Sequence, residues 1–183
     1  MSLPDGPRPR RPGPPDGEPL VFAADEQSDV EVDVAGLTKL AEQVLLAEGV
    51  RGASELSLYF VDEEAIADLN ERFMGSRGPT DVLAFPIDDD LPESGRSPDA
   101  GSTGPDRPPI EPSEVPLLLG DVIVCPKVAE RNAPQHAGTY RDEMGLLVVH
   151  GILHVLGMDH ADEEETKVMQ ARERKHLDAF WER

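Results

Sequence analysis

The chain is short of the residues that cross-link, insert into membranes or draw in polyanions. A single cysteine, Cys125, excludes an internal disulfide and fits a reducing, cytoplasmic setting. No long apolar run is present: the longest is interrupted by His150 and His154, so no membrane span is expected. The first twenty residues contain arginines but no apolar core, so no signal peptide is expected either. Positive charge is scarce. Seventeen Lys and Arg against 37 Asp and Glu give a net charge of −20, which argues against broad, nonspecific binding of nucleic acid; a polyanion would need a local basic patch.

Proline and glycine, by contrast, are abundant, with 18 and 16 residues in a chain of 183. They are concentrated in two places. Residues 1–18 are Pro, Gly and Arg with almost nothing to bury, and are expected to be a disordered tail. Residues from about 88 to 116 are acidic and rich in Pro, Gly and Ser, and read as an exposed insertion. The remainder, 19–183, suffices for one domain with a sizeable core.

Within that domain the periodicity alternates between strand and helix. Leu20–Ala24 reads as a strand, and Asp33 can cap a helix bearing Leu37, Leu40, Ala41 and Val44. Leu56, Leu58 and Phe60 alternate on one face of a second strand, and Asp62 starts a helix expected to carry Ile66, Leu69 and Phe73 in one stripe to Gly75. A turn at Gly78-Pro-Thr-Asp81 leads into a short strand ending at Pro86. LLLGDVIVC, Leu117–Cys125, has apolar residues on both parities and reads as a central strand buried on both faces. A short helix from Lys127 to about Gln135, an apolar helix from Thr139 to Leu156 and a charged helix from Asp162 to Trp181 complete the chain. This order specifies an α/β or α+β fold, with helices covering a small, mainly four-stranded mixed sheet.

Three of the five histidines lie in one stretch, His150-Gly-Ile-Leu-His154-Val-Leu-Gly157-Met-Asp159-His160. Residues four apart on a helix share a face, so His150 and His154 present two imidazoles to one point. Gly157 can take the left-handed conformation that ends a helix and carries His160 back toward them. A lone histidine on an apolar helix is more often a plain core or surface residue, but the third one after a glycine turn favours a metal. Three neutral nitrogen ligands suit one zinc ion and leave a position open to water, the pattern of a catalytic site. Metzincin peptidases use the same ligand spacing, yet the glutamate that serves as their base is replaced here by Gly151.

Further motifs point elsewhere. HGILHVLGMDH at 150–160, LNERFMGSRGPTDVLAFP at 69–86 and LLLGDVIVCP at 117–126 together resemble the YbeY family of zinc-dependent endoribonucleases. The resemblance runs from about residue 20 to the C-terminus and leaves out the tail and the length of the acidic insertion. It implies His150, His154 and His160 as zinc ligands and a small mixed sheet packed against the metal helix. It also implies hydrolysis of single-stranded RNA in 16S ribosomal RNA 3′-end maturation, ribosome biogenesis and quality control. Implied partners are ribosomal RNA, small-subunit ribosomal proteins and a ribosome-assembly GTPase. In one respect the chain departs from the family: an arginine of the pattern falls at Met74, which cannot bind phosphate. Arg72 and Arg77 are the nearest guanidinium groups that can take its place.

For the remaining chemistry the candidates are Asp159, Asp81 and Asn70, each with a simpler alternative. Asp159 can orient a ligand or stabilise the turn, Asp81 can cap a local turn, and Asn70 can bond backbone beneath the site. Thr80 and Asp121 read as structural, and His136 and His176 as plain surface residues. The attacking group is either water or a ribose 2′-hydroxyl. Two other functions compete: a zinc peptidase, which lacks its base, and a noncatalytic zinc-stabilised ribosome-binding module, which requires a fourth protein ligand or a closed metal site.

Overall fold

Capping and alternation act where the sequence places them. A computed structural model, which describes residues 17–87 and 116–181, runs β1 (Pro19–Asp25), α1 (Val34–Ala47), β2 (Ser54–Phe60) and α2 (Glu63–Leu69). It continues through β3 (Val82–Pro86), β4 (Leu117–Val124), α3 (Pro126–Asn132), α4 (Tyr140–Val155) and α5 (Glu163–Trp181). The tail expected over 1–18 and the insertion expected over 88–116 fall almost wholly outside the described residues. Asp33 accepts the Gly36 N–H at 3.0 Å and Asp62 the Ala65 N–H at 2.8 Å, each satisfying a backbone donor that its helix leaves unpaired.

The strands form one mixed sheet in the order β1-β2-β4-β3, the first three parallel and β3 antiparallel at the edge. This is the expected α/β architecture. On one face, Leu56, Leu58 and Phe60 of β2 are fully buried with Val122 and Val124 of β4 against Leu40 and Val44 of α1 and Val148 and Ile152 of α4. Each such side chain contributes about 1.5–3 kcal/mol when removed from water. Sheet, α1, α3 and α5 surround α4 on several sides, which is why its sequence is apolar nearly all round.

The second face is only partly covered. Ile66, Val61, Leu83, Ile123, Cys125 and Val128 form a smaller cluster at one end. Burial of β4 on both faces therefore holds for Val122–Val124, whereas Leu118 is half exposed. The stripe expected on α2 also changes. After Leu69 the chain widens into a π-type turn over Asn70–Met74, whose extra residue rotates Phe73 off the stripe and leaves it 64% exposed, edge-on to Phe85 at 5.3 Å. The helix expected to reach Gln135 stops being α-helical at Asn132, since Pro134 has no N–H to continue it.

Candidate metal centre

Consecutive turns of α4 carry His150 and His154, and their Nε2 atoms lie 3.0 Å apart. Gly157, at φ 99°, ends the helix: its N–H donates to His154 O at 3.0 Å, and that of Met158 to Leu153 O at 2.9 Å. The reversed chain brings the His160 ring to 5.5 Å from that of His150 and 5.0 Å from that of His154, centroid to centroid. One ligand atom from each histidine lies within 4.8 Å of the others.

A buried carboxylate fixes this geometry. Glu173 of α5, 6% exposed, places Oε1 2.5 Å from His150 Nδ1. A carboxylate only accepts, so Nδ1 carries the proton and His150 Nε2 presents a lone pair toward His154. Burial first, then the neighbouring His150 and His160, hold the His154 imidazole below its ordinary pKa and favour its neutral form. Two close imidazole nitrogens, one with a fixed lone pair, suit a shared cation. The donor set fits a borderline-soft divalent ion.

The remaining candidates are distributed around this centre. Asp81 lines the cleft with His150 and His160, and its Oδ1 accepts the Val82 N–H at 2.8 Å. Asp159 lines it too, and its Oδ1 accepts the His160 N–H at 2.7 Å. Asn70 is 8% exposed and donates from Nδ2 to Gly78 O at 3.0 Å, tying the π-type turn to the Pro-Thr-Asp turn. Met74, which stands where the resemblance leads one to expect an arginine, lines the cleft. Arg72 is paired with Asp68 at 3.3 Å, Arg77 is exposed, and neither is among the cleft-lining residues.

Gly151 lines the cleft without a side chain to offer it. A Cβ there would lie 2.5 Å from Val122 Cγ1 of β4, so the position is closed by close packing of α4 on the sheet. Among the described residues, three histidines and no fourth ligand make up the metal-ligating group.

Residues that the sequence left unremarked contribute to the site. Glu173 belongs to a buried stripe of α5 with Met169 and His176, at helical spacing that a charged helix does not advertise. His176 is not a plain surface residue: it is 8% exposed, with Nε2 2.5 Å from Glu48 Oε1, because α5 packs its middle against the end of α1. His136 is on the surface as expected, but it lines the cleft and is bonded to Glu143, whose side chain is wholly buried.

Fold and site together define an α/β domain with a histidine triad that could hold a metal ion at the end of its central helix. A family model described as endoribonuclease YbeY matches residues 22–181. The chain belongs to that family. It is 43% identical over 162 residues to the endoribonuclease YbeY of Frankia alni, covering 88% of this chain and 82% of the relative. It is 41% identical to that of Thermobifida fusca, covering 86% and 91%. Among solved structures, the solution structure of TM1509 from Thermotoga maritima is similar at 25% identity and a TM-score of 0.55, covering 88% of this chain and 89% of that one. Among the described residues, no helix is long and apolar enough to cross a membrane.

Proposed function

We propose that this chain is a zinc-dependent endoribonuclease that hydrolyses single-stranded RNA. The observation that carries this reading is the convergence of His150, His154 and His160, with His150 anchored by Glu173, on an open cleft in a chain of the endoribonuclease YbeY family. The three histidines would hold the metal, and Glu173 would keep His150 in the ligating tautomer. Bound there, a divalent cation supplies Lewis-acid stabilisation of charge developing on phosphodiester oxygens.

The chain's own groups perform the rest. Asp81 uses Oδ1 for the Val82 N–H and keeps Oδ2 to take the proton of the attacking hydroxyl, whether water or a ribose 2′-hydroxyl. Asp159 holds the turn that presents His160, and Asn70 holds the turn that presents Asp81. Arg72 and Arg77 are exposed and do not line the cleft, so a contact of either with RNA would lie outside it. Maturation of 16S ribosomal RNA, with small-subunit ribosomal proteins and a ribosome-assembly GTPase as recruiting partners in the cytoplasm, is the physiological setting this reading extends to. A protein recruiter suits an enzyme whose own charge of −20 repels RNA.

Two observations favour this over its rivals. A peptidase base at position 151 would collide with Val122, and a ribosome-binding module stabilised by metal would need a fourth ligand or a closed site. Metal analysis and cleavage of single- and double-stranded RNA by wild type and His154→Ala test the reading. Wild type is expected to hold about one zinc per chain and cut the single strand, and His154→Ala to lose both properties. Equal cleavage by the two proteins would assign the activity to a contaminant.

A further inference from the structure

A phosphodiester seated against the triad brings negative charge that the ligands alone do not answer. Two cavities of about 320 and 500 Å³ open on the triad and share Asp81, Val82, His150 and His160. Among the described residues lining them, one side chain outside the triad can carry positive charge, His136. Met74 offers no donor, and Arg72 is turned to Asp68.

The His136 ring is built into place. Its Nδ1 lies 2.9 and 2.8 Å from Oε1 and Oε2 of Glu143, which also accepts the Ala137 N–H at 3.1 Å. Glu143 is wholly buried, and among the described residues His136 is the only side chain bonded to it. Since the carboxylate only accepts, Nδ1 carries a proton and Nε2 is the ring nitrogen left over, on a side chain 59% exposed at the cleft. The arrangement repeats that of Glu173 and His150: two imidazoles of one cleft are each anchored through Nδ1 by a buried carboxylate.

We propose that His136 is a catalytic residue of this cleft that acts in its doubly protonated form, unlike the ligating tautomer of His150, donating a hydrogen bond from Nε2–H to a non-bridging oxygen of the scissile phosphodiester, with Glu143 as the positioning residue that orients the ring and offsets its charge. The proposal rests on the endoribonuclease reading. His136 transfers no atom; it stays protonated while the bond from phosphorus to the attacking oxygen forms and that to the leaving oxygen breaks.

Metal-loaded wild type, His136→Ala, His136→Gln and Glu143→Gln are compared on a short single-stranded RNA. Metal content, thermal unfolding and affinity for a 2′-O-methyl oligonucleotide of the same sequence are measured alongside. His136→Ala is expected to lower kcat about 100-fold and raise KM by no more than about fivefold, at unchanged metal content and Tm. Glutamine at 136 keeps a neutral donor and restores part of the kcat; Glu143→Gln falls between it and wild type. Should Glu143→Gln fail to fold, the His136→Gln comparison still decides. A kcat for His136→Ala within about twofold of wild type overturns the proposal, because a lost transition-state donor costs far more than that. If wild type cleaves no better than His154→Ala, the endoribonuclease reading fails instead, and His136 is judged on the oligonucleotide. Weakening by about fivefold in His136→Ala then upholds the phosphate contact, and unchanged affinity overturns it.

Discussion

At the scale of single residues, the site divides into what spacing reveals and what only packing reveals. His150, His154 and His160 were legible because a helix turn and a glycine impose their geometry locally; Gly157 indeed lies at φ 99°. Glu173 was not legible, since 23 residues and a change of helix separate it from the histidine it anchors. The absence of a base at Gly151 is plain in the sequence, and packing adds a reason: Val122 occupies the space. The importance of Glu173 is testable. Glu173→Ala is expected to weaken metal binding by about 10- to 100-fold, because His150 loses the partner that fixes its tautomer and orientation. Competition against a chelator of known affinity measures this, with Glu173→Gln as an intermediate that accepts a hydrogen bond without charge. Unchanged affinity in Glu173→Ala would mean that α4 alone orients the ligand.

At the scale of elements, strands and helices followed their patterns while the joints between them did not. Period-two spacing marks β2 and helical spacing marks α1, because each buries one apolar face, whereas β4 and α4 are legible as apolar runs because each is covered on more than one side. The π-type turn over Asn70–Met74 was invisible, since widening by one residue depends on Asn70 reaching Gly78 O rather than on local propensity. The docking of α5 was equally hidden. Glu48, at the end of α1, receives His176 at 2.5 Å and Arg172 at 3.1 Å, and this grip places Glu173 of the same helix beside His150. Glu48→Ala is expected to destabilise the fold by about 1–3 kcal/mol, nearly all through the buried His176 that it leaves without a partner. Arg172 is 41% exposed and adds little. Urea denaturation checks the loss, with Glu164→Ala as the control, because Glu164 forms only an exposed ion pair with Lys167, worth about a few tenths of a kcal/mol. Metal affinity should fall in Glu48→Ala and not in the control. An unmoved midpoint would show that apolar packing of α5 suffices to seat Glu173.

At the scale of the whole molecule, the charge sets how RNA approaches. A chain of net charge −20 repels a polyanion at long range, so the cleft must work against the field of its own protein. Much of that field comes from one stretch: residues 88–115 hold eight acidic and two basic side chains. Repulsion of this kind acts over the Debye length, about 30 Å at 0.01 M salt and about 3 Å at 1 M, whereas contacts within the cleft are far less screened. Replacing 88–115 by a short Gly-Ser linker should therefore raise kcat/KM for a single-stranded RNA at low salt, leave kcat nearly unchanged, and lose its advantage as salt increases. Rates measured across a salt series on both proteins separate this from a direct role in binding. If the shortened chain had the lower kcat/KM at every salt concentration, the acidic stretch would belong to the substrate path and not to the repelling field.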